Sequence, residues 1–166
     1  VSALAVNTAG SNTAFGRAAL TANTTGTENV AVGAYAGDAL DTGQENTAIG
    51  HQALSADTKG NHSTALGHGT LYNQNFTSST DTNNTAVGFS AGAAVTTGVQ
   101  NTLIGANAGD ALTDADYNIA IGTDALGADT LGSRSIAIGR RALFAQNFTT
   151  ATDAYNVAVG FEAGND

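Results

Sequence analysis

His51 and His68 stand seventeen residues apart, with His62 between them. Imidazole is a common metal ligand and a general base near neutral pH, so a stacked pair is a candidate metal site. The corresponding positions elsewhere in the chain hold Arg17, Ala34, Phe89, Ala106, Thr123, Arg140 and Phe161. So permissive a place reads as exposed surface, and no metal is expected. Asp38 and Asp110 recur in Gly-Asp-Ala-Leu segments. The Gly-Gly-x-Gly-x-Asp run of calcium-binding repeats is missing, so these carboxylates read as turn caps. Hydroxyls are abundant, yet no histidine sits in a nucleophile motif. The glycines lack the strand–loop–helix setting of a phosphate loop. The expectation is no catalytic residue, no cofactor and no enzyme.

Two other groups carry candidate binding chemistry. Segments 72–81 and 144–153 each open on an aromatic residue and share Gln-Asn-Phe-Thr. Tyr72, Asn75, Phe76, Thr77, Phe144, Asn147, Phe148 and Thr149 are candidate receptor contacts. Their rings can stack on sugars or a protein, and loops on a rigid scaffold often bind. The competing expectation is that the loops fold over the body and bury the rings. Asn23, Asn61, Asn75, Asn83 and Asn147 lie in Asn-x-Ser/Thr sequons, matches that chance supplies in a chain rich in Asn and Thr. Asn12, Asn29, Asn46, Asn84, Asn101, Asn118 and Asn156, with Ser63 and Ser135 substituting, form a structural ladder. Their amides are expected to hydrogen-bond from coil to coil.

The elements that position these residues follow from a repeat. The motif Asn-[Thr/Val/Ile]-Ala-[Ile/Val]-Gly recurs, with glycines at Gly16, Gly33, Gly50, Gly67, Gly88, Gly105, Gly122, Gly139 and Gly160. The spacing is seventeen residues, and twenty-one in every fourth unit. Super-repeats 11–82 and 83–154 result, with about half of their paired positions identical, followed by a partial repeat, 155–166. The alternation in each motif is that of a short strand. A glycine every seven to ten residues excludes a helical array. The fold expected is all-β: a parallel β-solenoid or β-roll of nine coils, as a single segment, 1–166.

Residues seventeen apart then stack at about 4.8 Å. The series Phe15, Val32, Ile49, Leu66, Val87, Ile104, Ile121, Ile138 and Val159 is wholly apolar and is expected to face a core. The series two before it, Thr13 to Val157, is β-branched throughout, which suits a pleated ladder. The series between them is alanine except at Leu103. A strand small and apolar on both faces fills the solenoid with one and offers the other to a neighbour, so an oligomer is expected. Each coil carries one large aliphatic group at one of two places: Leu20, Leu54, Leu71, Leu126 and Leu143, or Leu40, Val95 and Leu112. A thin core of fixed volume demands such an exchange.

Of the 166 residues only 11% are charged, the formal net charge is −9, and there is no Cys. A nucleic-acid partner is not expected without a basic stripe. Disulfides and thiolate metal sites are excluded, and no apolar run long enough to insert in a membrane occurs. The chain opens at Val1 and reads as a fragment of a longer fibre.

Segments Asn46-Thr-Ala-Ile-Gly50, Ser135-Ile-Ala-Ile-Gly139 and Asn156-Val-Ala-Val-Gly160 resemble the head repeats of trimeric autotransporter adhesins, the YadA-like left-handed parallel β-roll. They are also similar to repeats in phage tail fibres that end in a self-cleaving chaperone domain. The unit is longer than that family's. The resemblance implies a homotrimer, a place on a cell or virion surface outside the cell, and attachment to a host-surface glycan or matrix protein. Alternatives from other classes are an ice-binding solenoid and a purely structural filament subunit.

Overall fold

The computed structural model of the protein describes residues 2–165. Thirteen short strands occur in chain order: β1 (Thr13–Phe15), β2 (Val30–Val32), β3 (Thr47–Ile49), β4 (Gly60–Asn61), β5 (Thr64–Leu66), β6 (Thr80–Asp81), β7 (Thr85–Val87), β8 (Thr102–Ile104), β9 (Ile119–Ile121), β10 (Gly132–Ser133), β11 (Ile136–Ile138), β12 (Thr152–Asp153) and β13 (Val157–Val159). No helix occurs among the described residues. Nine of these strands form one parallel sheet, in the order β1-β2-β3-β5-β7-β8-β9-β11-β13. Each strand pairs with its counterpart one circuit on, Ala14 with Ala31 and Ala31 with Ala48. The fold is thus a parallel β-solenoid of about nine coils.

The register survives the longer units. Thr64 pairs with Thr85, and Ile136 with Val157. The four extra residues are absorbed outside the main sheet, where β4 pairs with β6 and β10 with β12.

The interior corrects one expectation. The Phe15-to-Val159 series stacks as a column but points outward, with Leu66 42% and Ile104 37% exposed. The alanines between face inward: Ala31, Ala48, Ala65, Ala86, Ala120 and Ala137 are buried. The reason is thickness. The interior is already filled by the buried Leu and Val side chains, so the inward column is alanine, and Leu103 enters it only where Gly92 and Gly109 leave room.

The aliphatic exchange has a direct cause. Leu20, Leu40, Leu54, Leu71, Val95, Leu112 and Leu126 are fully buried. A Cβ added at Gly37 would lie 3.0 Å from Leu40 Cδ1 and 3.2 Å from Leu20 Cδ2. Leu40 occupies the volume that Gly37 leaves free. Leu103, the exception in the alanine column, fits between two such glycines: a Cβ at Gly92 or Gly109 would come within 2.7 Å of its methyls.

The corner after each strand is built for glycine. Gly50 has φ +137°, and a Cβ there would stand 2.2 Å from the carbonyl oxygen of Gly67 in the next coil. No L side chain fits at this place.

Candidate functional site

The asparagine ladder joins backbone to side chain. Asn29 Oδ1 accepts the backbone N–H of Asn46 at 3.0 Å, and its Nδ2 donates to the carbonyl of Gly43 at 2.8 Å. Asn101 repeats the pattern, accepting from Asn118 N–H at 2.9 Å and donating to Ala115 at 2.7 Å. Asn12 and Asn118 make the equivalent pairs. Asn84 accepts from Asn101 N–H and donates to Gly98. One direct amide–amide bond runs from Asn46 Nδ2 to Asn29 Oδ1, 3.1 Å. The ladder satisfies turn groups that strand pairing leaves open. Most of its members are buried, so its place is inside the coil.

Ser63 and Ser135 are too short to continue the ladder alone, and a glutamine from each insertion completes it. Gln74 Nε2 donates to Ser63 Oγ at 2.8 Å and to Asp57 Oδ2 at 2.6 Å, while its Oε1 accepts from Asn84 Nδ2 at 2.8 Å. Asp57 is fully buried. Its Oδ1 also accepts the N–H of Gly60 at 3.0 Å and of Phe76 at 3.2 Å. The second insertion repeats the latch. Asp129 accepts from Gln146 Nε2, Gly132 N–H and Phe148 N–H, and Gln146 Oε1 accepts from Asn156 Nδ2. Thr58 and Thr130 complete it, donating to the carbonyls of Phe76 and Phe148, each at 2.8 Å. Asp57, Asp129, Gln74 and Gln146 were not among the predicted site residues. Each Asp precedes its Gln by seventeen residues, in the two long units alone, and that pairing was the available signal.

The latches sort the candidate contact residues. Phe76 is 7% exposed and lies folded against the roll. Phe148 is half-buried over Gly132, and Phe144 is half-buried beneath the Arg141 guanidinium, 4.4 Å from its ring centroid. Tyr72, Asn75, Thr77, Asn147 and Thr149 are exposed. Among the sequons, Asn23 and Asn61 are buried, whereas Asn75, Asn83 and Asn147 face solvent.

The imidazoles of His51 and His68 stack at 5.1 Å between centroids, and His68 stacks on Phe89 at 5.3 Å. His62 lies apart, 3.6 Å from both Glu45 and Asp81 carboxylates. Among the described residues no three metal-ligating side chains converge.

The nine-stranded sheet also has an outer face. It carries two parallel columns, Thr13 to Val157 and Phe15 to Val159, half-buried or exposed throughout. No helix of the protein is long and apolar enough to cross a membrane among the described residues. No family model matches the chain, and neither a curated protein nor a solved structure matches it.

Proposed function

We propose that this chain is a segment of an extracellular surface fibre, a homotrimer of left-handed rolls whose rigid rod displays loops for attachment to a host-surface glycan or matrix protein. The observation that carries it is the outer sheet face. Val, Ile, Leu, Phe and Thr cover it in two unbroken columns, and no charged side chain interrupts either. Apolar patches of this extent on a soluble chain mark interaction surfaces. Three copies packed face to face remove them from water, and the likeness to trimeric adhesin head repeats points the same way.

The mechanism is geometric. The latched loops recur four coils apart, roughly 19 Å along the rod. Repetition turns weak single contacts into attachment through effective concentration. The test is retention of the labelled protein on glycan- or matrix-coated surfaces, beside a variant with the exposed Tyr72, Asn75, Thr77, Asn147 and Thr149 all changed to Ala, which leaves the Gln74 and Gln146 latches in place. Loss of retention in the variant supports loop-mediated attachment. Equal retention removes the loops as the adhesive element, and retention on no surface leaves a purely structural filament.

A second reading has one observation in its favour. Thr13, Thr47, Thr64, Thr85 and Thr102 lie on the outward face of the sheet, in the register of a flat hydroxyl array. Thermal hysteresis at micromolar protein supports ice binding, and its absence removes that reading.

A further inference from the structure

Two residues after each motif glycine the backbone turns left-handed. That place holds Ala18, Tyr35, Gln52, Ser90, Asn107, Asp124, Arg141 and Glu162, with φ between 52° and 60°. Gly69 shares the conformation, at φ +63°. Glycine is therefore not required by the backbone there. What it supplies is space: an added Cβ would meet nothing nearer than Ser90 Oγ, at 3.7 Å.

The missing side chain opens a groove of about 320 Å³. Gln52, Tyr72, Asn73, Ser90 and Asp110 line it beside Gly69. The volume lies at the lower end of the range for small-ligand sites. Ser55, one turn away, has its hydroxyl tied to Asp38 at 2.5 Å. The side chains of Gln52, Tyr72, Asn73 and Ser90 make no such bond among the described residues, so their polar atoms are free for a ligand. One super-repeat later Arg141 replaces Gly69, lies over Phe144 and pairs with Glu162 at 3.0 Å. The groove spans the junction of the two super-repeats, and the place equivalent to Gly69 in the second is filled.

We infer that this groove is a subsite for one neutral hexopyranose ring, held with its C–H face on Tyr72 and its hydroxyls on Asp110, Ser90 and Asn73. The inference rests on the attachment reading and gives it a receptor chemistry. An aromatic wall beside convergent amide, hydroxyl and carboxylate groups matches the two-sided character of a sugar. The net charge of −9 and the carboxylate in the groove turn away anionic sugars. Burial, with the like charge of Asp124 adding to it, raises the Asp110 pKa from its ordinary value. Sugar hydroxyls donating to Asp110 favour its charged form, so affinity rises as pH rises through its titration.

The test is saturation-transfer NMR on the full chain with methyl glucopyranoside, methyl galactopyranoside and N-acetylglucosamine, and glucuronate as the anionic control. At least one neutral probe is expected to bind with a dissociation constant on the order of 1 mM, the weak affinity of a single small site. Glucuronate at equal concentration is expected to give no transfer. Gly69→Arg copies the residue that Arg141 places in the same backbone conformation, so it fills the groove and keeps the fold. It and Tyr72→Ala are each expected to weaken binding at least tenfold. Absence of transfer from every neutral probe, or wild-type binding by Gly69→Arg, overturns the subsite. Attachment at full strength by Gly69→Arg overturns the subsite as the receptor contact and leaves the attachment reading standing. A wild-type chain that binds a neutral sugar yet attaches to no surface keeps the subsite and overturns attachment.

Discussion

The Asp57 carboxylate accepts the backbone N–H of Phe76, 3.2 Å away and nineteen residues along the chain. With the Gln74–Asp57, Gln74–Ser63 and Thr58–Phe76 bonds, it ties the first insertion to the coil before it. It explains why the Phe76 ring is folded inward while its neighbours Asn75 and Thr77 face solvent.

Removing that carboxylate leaves four donors unpaired: the part-buried Lys59 N–H and the buried Gly60 N–H, Phe76 N–H and one Gln74 amide hydrogen. Each costs about 1–3 kcal/mol. Asp57→Ala is expected to lower the stability of the first insertion by several kcal/mol. Hydrogen exchange reads this directly: the Phe76 amide speeds up by at least about 100-fold, whereas strand β9 amides change far less. Asp57→Asn keeps one acceptor and falls between the two.

The corner glycines separate from Gly69 by a simple contrast. Gly50→Ala drives a methyl into the Gly67 carbonyl in a conformation closed to L residues, and a cost of more than about 2 kcal/mol is expected. Gly69→Ala meets open space, and its change is within about 1 kcal/mol. Thermal melts of the pair check both. Equal losses contradict the stacked-corner geometry.

Breaking the ladder in mid-rod tests its part in the fold. Asn101→Ala leaves the N–H of Asn118 and the carbonyl of Ala115 without their side-chain partners. Both lie inside the coil, and a loss of about 2–4 kcal/mol is expected from denaturant unfolding.

Asp110 gives a pH signature. Its pKa is raised in the folded chain, by burial first and by the charge of Asp124 in addition. The folded state therefore favours the protonated acid. The group's stabilising effect is present at low pH and is lost as pH rises through the folded pKa. Asp110→Asn is expected to melt higher than wild type at pH 7, with the gap closing as pH falls through the raised folded pKa and gone below about pH 4, where the unfolded chain is protonated too. A gap independent of pH contradicts the assignment.

Much of the fold was legible because the repeat fixes it. The seventeen-residue period gave the coils, their register and the stacked asparagines. The direction of the strand faces was not legible in the same way. Apolar character in the Phe15-to-Val159 column is equally consistent with a core and with a face awaiting a partner. What separates the two faces is burial: Ala48 lies inside, whereas Ile49 beside it is only half-buried. The insertion loops were found as insertions, but their restraint was hidden. Asp57 and Gln74 read as unrelated polar residues until one circuit of the backbone brings them to a 2.6 Å hydrogen bond.

Native mass spectrometry at micromolar protein tests the central claim, that the outer sheet face is covered by copies of the same chain. The predicted result is a species of three chains, each of 16.4 kDa, that falls to a monomer when Ile104 and Ile121 are both changed to Asp. A wild-type chain that stays monomeric across the whole concentration range contradicts it.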